Sequence, residues 1–463
     1  MYTVSQIIIS ETKYPSLYQY AIKNSELAKN LYNAALFRIR QIFTGYDKQI
    51  RTKNEKAVFE LVNSLEKAYP SVKVKRVISY SYLEKLMRLE HNPDFFSGLP
   101  MQTAQHVLRQ AVTDFTSWLK SLKSYKNDSS CYTGRPRMPQ YRKGSLLTFT
   151  ITNQDAVLYP FDNDSEYGTF LKLPLSKERI SLSHIHKDSV MKEVKVIPFY
   201  GRFILSITLD IPKAAKNSDM HEMIGIDLGT DNIAALVCTD GSSRLYKGGV
   251  VLSENQNFAK SRAKAVGIIT KGHNRVNASS KHLDNLSFHH CNFNRDQMHK
   301  ISRSIINYCV SHKVGTIVIG ENRLWKQTSN IGVLNNQKFV SVPLDLLKKN
   351  IIYKAQTKGI TVILQEESYT SKADFLACDS IPVYGKNDDA VSFSGKRICR
   401  GLYKSKAGVI VNADLNGAAN ILRKAVPDAW NNTTDFTFLN APDVLGFHEL
   451  NPQSIPVKRI AGM

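Results

Sequence analysis

The sequence predicts a multidomain α/β protein, in which a small β-barrel or sandwich interrupted by a helical insert precedes an α/β sheet domain. Three observations support this fold class. The chain has 463 residues, which is too long for one ordinary hydrophobic core. In the first half, short β-branched and aromatic runs flank a long stretch with helical spacing. From Met223 onward, apolar strands alternate with helices, as in an α/β sheet.

The periodicity of the first half separates its strands from its helices. The segment YTVSQIII alternates as a half-buried strand does. Helical spacing then predicts helix from about Ser25 to Leu65 and again from Gln102 to Lys123. The runs LTFTITN, GTFLKLPL, EVKVIPF and RFILSITLDI follow as strands. We therefore expect a β-domain with the helices inserted after its first strand.

The second half alternates strands and helices up to a proline-rich end. MIGID, the hairpin IAALVCTDGSSRLYKGG, TIVIGE and TVILQEE are predicted strands, with a helix from Pro343 to Lys358. The stretch from Pro427 has weak periodicity and several prolines. We expect it to be a poorly ordered tail.

The charge balance indicates a polyanionic partner. The chain has 62 Lys and Arg against 40 Asp and Glu, a net charge of +22, and a pI of about 9.6. Nucleic acid is the expected partner, and its binding should weaken steeply with salt. The sequence has no apolar run near the roughly 18 residues of a spanning helix, and it lacks a signal-peptide layout. We expect a cytoplasmic protein without membrane contact.

Three acids lie where catalytic carboxylates of an RNase H-like domain would lie. Asp227 ends the strand MIGID, Glu321 ends TIVIGE, and Asp414 opens the helix in NADLNGAANILRK. An Asp from the first strand, a Glu from the fourth and an Asp from a late helix make the RuvC arrangement. Such carboxylates would hold two Mg²⁺ ions about 3.5 to 4 Å apart for phosphodiester cleavage.

Each acid also has an ordinary structural interpretation. Asp227 could be a turn residue, Glu321 a strand-end acid, and Asp414 a helix N-cap. The order of all three on the expected elements favours the site. We therefore predict Asp227, Glu321 and Asp414 as the catalytic residues and the Mg²⁺ ligands.

Several motifs together resemble one known family. GIDLGTDNIAALV, IVIGENRLWKQ, ESYTSKADF with GKRICRGLY, and NADLNGAANILRK are similar to the TnpB family of transposon-encoded RNA-guided nucleases, relatives of type V CRISPR effectors. AKNLYNAALFRIRQ, LPMQTAQHVLRQ and GRPRMPQYR agree in the first half. The resemblance extends to about Lys424, and it implies a prokaryotic protein that is associated with the nucleoid when bound to DNA.

The resemblance implies an RNA-guided DNA endonuclease. Such a protein recognises a short flanking motif, pairs guide RNA with the target strand of double-stranded DNA, and cleaves through its RuvC site. The implied domains are a wedge-like β-barrel domain (1–18 and 128–220), a helical recognition lobe (19–127), a RuvC nuclease domain (221–366 and 412–426), a target-nucleic-acid-binding insert resembling a degenerate zinc ribbon (367–411) and the tail (427–463). The sequence does not indicate an oligomeric state.

Two groups of residues are candidates for nucleic-acid contacts. The segment GRPRMPQYRKG is basic and irregular, which is typical of a phosphate-contacting loop, although a solvated loop is the alternative. The resemblance to the family's motif-reading helix makes part of a polar helix face a candidate for base contacts. The candidates are Arg135, Arg137, Arg142 and Lys143 in the loop, and Gln102, Gln105 and Arg109 on the helix.

The insert departs from the family pattern. Family members commonly carry paired Cys-x-x-Cys motifs there, whereas this chain has Cys378 and Cys399 without a second cysteine for either pair. Structural zinc requires four closely spaced ligands, so zinc is unlikely and the segment should fold by packing Phe375, Phe393 and Tyr403.

Other functions remain to be compared with nuclease activity. An RNA-guided repressor should have lost an acid, and a DDE transposase ends its triad with Glu on a late helix. A type V CRISPR effector using CRISPR RNA shares the same chemistry, and the protein sequence hardly separates it from TnpB. The origin of the guide, the flanking motif, the cut positions and collateral single-strand cleavage stay open.

Overall fold

The computed structural model describes residues 2–161, 167–211, 219–272, 279–321, 342–383, 392–399, 401–431, 433 and 435–452. The chain forms two compact units, Met1–Pro212 and Lys213–Met463. One hydrophobic core fills the first unit, and the second has a core on each face of its main sheet. Among the described helices, none combines the length and apolar character needed to span a bilayer.

The first unit contains two antiparallel sheets. One has the order β1, β7, β6, β2, so its first and last strands are neighbours despite the helices between them. The other has the order β3, β4, β5. The strands are β1 (Tyr2–Ile9), β2 (Phe149–Thr152), β3 (Val157–Pro160), β4 (Tyr167–Lys172), β5 (Arg179–His186), β6 (Val190–Phe199) and β7 (Arg202–Asp210).

Four helices lie between β1 and β2. They are α1 (Pro15–Gly45), α2 (Lys53–Ala68), α3 (Tyr80–Leu89) and α4 (Met101–Asn127). The stretch predicted as helical from about Ser25 to Leu65 contains two helices, α1 and α2, and helical structure begins earlier than predicted. Pro15 starts α1 earlier because its fixed φ suits the first helical turn. The chain leaves the helix after Gly45, and Thr52 starts α2 with a capping box in which its side chain accepts from the Glu55 amide.

The second unit is built on a six-stranded sheet of order β12, β11, β8, β9, β10, β16. The pairs β8–β11, β11–β12 and β10–β16 are parallel, whereas β8–β9 and β9–β10 are antiparallel. The strands are β8 (Glu222–Asp227), β9 (Asn232–Cys238), β10 (Ser243–Lys247), β11 (Val314–Glu321), β12 (Thr361–Glu366) and β16 (Asp443–Leu445).

Helices cover both faces of this sheet. Ile224 and Ile226 of β8 belong to the core that includes α6 and α7, and α8 belongs to the other core. A Cβ on Gly225 would lie 2.2 Å from the Ala418 carbonyl oxygen, so glycine allows α8 to cross β8 at close range. The helices are α5 (Gly249–Thr270), α6 (Lys281–Ser311), α7 (Leu344–Gln356), α8 (Ala413–Ala425) and α9 (Phe447–Leu450).

The segment after Pro427 is folded in its described part. Trp430 and Phe438 are buried, and their rings pack 6.1 Å apart. Phe375 of the insert packs 5.3 Å from Trp430, and β16 extends the main sheet beside β10. The expectation of a poorly ordered tail is therefore wrong for this part, because aromatic packing replaces the missing periodicity. Residues 453–463 lie outside the described residues.

The predicted degenerate zinc ribbon contains a small antiparallel sheet held by carboxylates. Its strands are β13 (Lys396–Cys399), β14 (Leu402–Lys404) and β15 (Ile410–Asn412). Asp374, which is fully buried, accepts bonds from the amides of Leu376 and Ala377 and from the Ser405 hydroxyl, at 2.9 to 3.3 Å. The Lys406 amide is a fourth donor, at 2.7 Å.

A second carboxylate and the apolar packing complete this segment. Asp379 accepts from the amides of Asp374 and Ser394, both at 2.9 Å. Phe375 and Tyr403 are buried as predicted, while Cys378 and Cys399 are exposed. The two acids thus connect the turn after Ala373 to the strands that follow.

Replacing Asp374 by Ala should lower the melting temperature strongly. The substitution leaves the buried Ser405 hydroxyl and three part-buried amides without their acceptor, and a buried donor without an acceptor costs about 1 to 3 kcal/mol. Differential scanning fluorimetry of the full chain measures the change, with the exposed Asp428→Ala as the control. A zinc-selective chelator should leave the wild-type midpoint unchanged; a drop comparable to that of the Asp374 variant would contradict a carboxylate-held fold.

Candidate active site

Two of the predicted acids end neighbouring parallel strands. Asp227 is the last residue of β8, and Glu321 is the last residue of β11. The register aligns Ile226 with Ile319. Because parallel strands end at the same edge of a sheet, both carboxylates lie at that edge.

The third acid lies in the first turn of α8. The N-cap of this helix is Asn412, whose side-chain oxygen accepts from the amides of Asp414 (3.0 Å) and Leu415 (3.2 Å). Asp414 is therefore not the N-cap but an acid in the first turn of the helix. Its carboxylate instead accepts from Asn232 Nδ2 at 2.7 Å and lies 3.4 Å from the Arg397 guanidinium.

Asp227 and Asp414 lie close enough for their charges to interact. A Cβ on Gly417 of α8 would lie 2.7 Å from Asp227 Oδ2, so this carboxylate packs against the helix backbone. Burial raises the pKa of Asp227 well above its ordinary value, and the negative charges of Glu367 and Asp414 raise it further. Arg397 opposes the shift. The structure thus concentrates negative charge at the end of β8.

A fourth acid, Glu367, was not among the predicted site residues. It directly follows β12, and a Cβ on Gly320 would lie 2.6 Å from Glu367 Oε2. The pKa of Glu367 is raised to about 7, first by burial and then by the charges of Glu366 and Glu321. The charges of Lys348 and Lys424 oppose this shift. The signal in the sequence was the acidic pair in TVILQEE, which ends the strand next to β11.

Glu321 forms an ion pair with a lysine and does not complete a metal-binding group with Asp227 and Asp414. Its Oε1 lies 2.9 Å from Lys348 Nζ in an ion pair with α7. Across the described part of the chain, no three His, Cys, Asp or Glu side chains are arranged as a complete metal-binding group. The structure therefore brings Asp227 and Asp414 together and places Glu321 on the adjacent strand end, beside a cation.

The chemistry of these side chains fits Mg²⁺. The ion prefers carboxylate and water oxygens, which Asp227, Asp414, Glu321 and Glu367 can supply. The pKa of Asp227 is raised first by burial and then by the negative charges beside it. A bound divalent cation would relieve the repulsion between these charges. The metal-ligand assignment itself stays a prediction.

The predicted nucleic-acid contacts lie in the first unit. In the irregular segment before β2, Arg135, Arg137 and Lys143 are exposed. Arg142 is held to the helices: its guanidinium lies 3.3 Å from Asp114, and its amide donates to Asn33 Oδ1 at 2.8 Å. This anchors the basic segment on α1 and α4.

The helix-face candidates contact α3 in the first unit. Gln105 donates to Glu84 at 3.0 Å, and the Arg109 guanidinium lies 4.6 Å from the Tyr80 ring centre. Gln102 is half-buried. Base contacts by these residues stay a prediction.

Two family models match the part of the chain that carries the acids. The OrfB_IS605 model, described as a probable transposase, matches residues 206–326, which include β8 and β11. The Cas12f1-like TNB-domain model matches residues 346–421, which include Asp414. In these two stretches the chain is similar to TnpB-type transposases and to Cas12f1-like proteins.

The curated relatives have sequence identities of about one quarter. The CRISPR-associated endodeoxyribonuclease Cas12f1 of Sulfoacidibacillus thermotolerans is 27% identical over 237 residues, covering 49% of this chain and 51% of the relative. The protein of the same name from Syntrophomonas palmitatica is 25% identical over 276 residues, covering 53% of each. The chain thus spans about half the length of the curated relatives it matches.

One solved structure aligns with most of the chain. The cryo-EM structure of the Cas12f1-sgRNA-target DNA complex matches with a TM-score of 0.49 and 14% identity. The match covers 89% of this chain and 84% of the solved one.

Proposed function

We propose that this protein is an RNA-guided DNA endonuclease that cleaves phosphodiester bonds at Asp227, Glu321 and Asp414. The observation that carries the proposal is the charge-coupled pair of Asp227 and Asp414, with Glu321 at the end of the adjacent strand. These residues fall in the two stretches matched by the family models. The net charge of +22 suits a guide RNA and a double-stranded DNA target.

Magnesium is the proposed cofactor, and two bound ions would activate a water and stabilise the charge on the leaving oxygen. Asp227 and Asp414 are the proposed central ligands. Asn232 orients one oxygen of Asp414 at 2.7 Å, and Arg397 and Lys348 neutralise Asp414 and Glu321. To bind Mg²⁺, Glu321 would have to release its ion pair with Lys348.

The proposed division of labour follows the two units. In the first unit, the sheets would hold guide RNA as a wedge-like domain, and α1 to α4 would form the recognition lobe. In the second unit, the six-stranded sheet would be the RuvC nuclease domain and residues 367–411 its target-binding insert. Guide pairing would then choose the target, and the protein would bind backbone and flanking motif.

Replacing Arg135, Arg137 and Lys143 together by Gln should weaken RNA binding without unfolding the chain. All three are exposed, and in the described residues none has an acidic partner. Losing three phosphate contacts should lower affinity about 10-fold or more and reduce the salt slope by about 2. Fluorescence anisotropy across a KCl series measures both quantities.

A matched control removes the same charge from α4. Lys120, Lys123 and Lys126 are exposed there, and their triple replacement by Gln should change the salt slope less. Equal slopes for the two triple variants would remove the basic segment from the RNA-binding surface.

The decisive experiment starts from the purified protein expressed with its native flanking DNA. Sequencing the co-purifying RNA separates a transposon-type guide, which overlaps or follows the coding end, from repeat-spacer CRISPR RNA. The complex is then incubated with a library of target plasmids and Mg²⁺. Cleavage beside one flanking motif supports the proposal. Specific binding without cleavage would favour a guided repressor, and the absence of a specific RNA would contradict RNA guidance.

A further inference from the structure

A groove of about 720 Å³ lies along α6 in the second unit. One face of α6, the end of α7, β10 and α9 form its walls. Ser311 ends α6 just before β11 begins at Val314, whereas Glu321 is at the opposite end of β11, about 23 Å away at 3.3 Å per residue. The groove is therefore separate from the acidic site.

The walls of the groove carry four cationic side chains besides His299. They are Arg244, Lys300, Arg303 and Lys354. Arg244 lies 2.6 Å from Asp443 and Lys300 lies 2.7 Å from Asp296, so these two are neutralised. For Arg303 and Lys354, the described residues provide no carboxylate partner.

Lys354 is the more unusual of the two. Lys354 is only 3% exposed. Its Nζ donates to the His299 carbonyl at 2.7 Å and to Ser302 Oγ at 2.6 Å. These bonds satisfy two of its three N–H groups and leave its charge uncompensated. Burial, together with the smaller effect of the Arg303 charge, lowers the pKa of Lys354 to about 8. A bound anion would remove this electrostatic cost.

The groove has the length and polarity of a site for several phosphates. Lys300, Arg303, Asn307 and Ser311 recur at helical spacing along it, over about 16 Å of α6. Along the axis of a duplex each strand presents a phosphate about every 3.4 Å, so a groove of this length can face more than one phosphate of a strand. Glu449 is the acid on the wall, and its carboxylate accepts from the Gly446 amide at 2.8 Å.

We propose that this groove binds the phosphodiester backbone of a nucleic-acid strand, with Arg303 and Lys354 as the charged contacts and Asn307 as a hydrogen-bonding contact. Guide RNA and target DNA share this chemistry, and the experiment distinguishes them. The inference goes beyond the proposed endonuclease function and does not depend on cleavage.

Two measurements test the groove on the Asp227→Asn background, where cleavage cannot alter the ligand. The first compares Arg303→Glu with Lys281→Glu, a control at the start of the same helix and about 33 Å away. The probes are fluorescein-labelled oligouridylate RNA and oligothymidylate DNA of about 20 nucleotides. Arg303→Glu should lower the affinity for at least one probe about 5-fold and make its salt slope shallower by at least about 0.7. Lys281→Glu should change both much less.

The second measurement does not depend on the stability of a charge-reversal variant. A photoreactive benzoylphenylalanine replaces Asn307 or, as the control, Lys281, and the protein is irradiated with each probe. Stronger crosslinking at position 307 to RNA, to DNA or to both supports the proposal and identifies the ligand. Crosslinking no stronger than at position 281, with equal affinities of the two Glu variants, would overturn it whether or not the protein proves to be a nuclease.

Discussion

Replacing Asp227 by Asn is expected to abolish cleavage and to raise the melting temperature of the metal-free protein. The catalytic loss follows from removing a proposed ligand at the centre of the site and should be at least about 100-fold. The gain in stability follows from the charge distribution. The pKa of Asp227 is raised by burial and by Glu367 and Asp414, so the ionised carboxylate destabilises the folded state. A neutral amide of the same shape removes this repulsion.

Plasmid cleavage and thermal unfolding test the two halves of this expectation. Mg²⁺ should raise the melting temperature of the wild-type chain more than that of the variant, because binding to the folded state stabilises it. RNA and DNA binding should be retained. Asp428→Asn, an exposed acid changed in the same way, should leave cleavage and melting temperature unaltered. Cleavage that survives in Asp227→Asn would refute the site assignment.

The second large effect concerns the dependence of stability on pH. Glu367 has a pKa of about 7 in the folded chain against an ordinary value of 4.5. Between these values the folded state holds a proton that the unfolded state has lost, so stability falls as pH rises from about 4.5 to 7. Above pH 7 the ionised Glu367 costs up to about 3 kcal/mol.

Glu367→Gln should therefore stabilise the metal-free protein at pH 8 and make its stability less dependent on pH. Urea unfolding of both proteins at pH 5 and pH 8 measures the difference, which should be several-fold smaller at the lower pH. Glu254→Gln, an exposed acid on α5, is the control and should leave the pH profile unchanged. A destabilising effect of Glu367→Gln at pH 8 would mean that Glu367 accepts stabilising contacts in its ionised form.

The elements that carry the three acids were predictable because their sequence signals are local. MIGID and TIVIGE are apolar runs that end in an acid, and these are the strands β8 and β11. NADLNGAANILRK combines a capping residue with small and aliphatic residues, and this is the start of α8. The sequence did not show that Asn412 would be the cap, which leaves the Asp414 carboxylate oriented by Asn232.

Other features depend on contacts between distant parts of the chain. The Glu367 carboxylate can lie at the site because Gly320 has no side chain to occupy that space. Asp374 is a structural acid because it accepts from the Ser405 hydroxyl and from the Lys406 amide, which lie in the turn between β14 and β15. Neither of these contacts can be predicted from the periodicity of the sequence. The ion pair of Lys348 with Glu321 likewise depends on how α7 packs beside β11.

The addition of β16 to the main sheet limits where the protein can be shortened. Removing residues from Pro427 onward would leave β10 as an open edge, with unpaired backbone groups available to other chains. It would also uncover the ring of Phe375, which packs against Trp430. A shortened protein of this kind should self-associate, so truncated variants should keep the chain through Pro452.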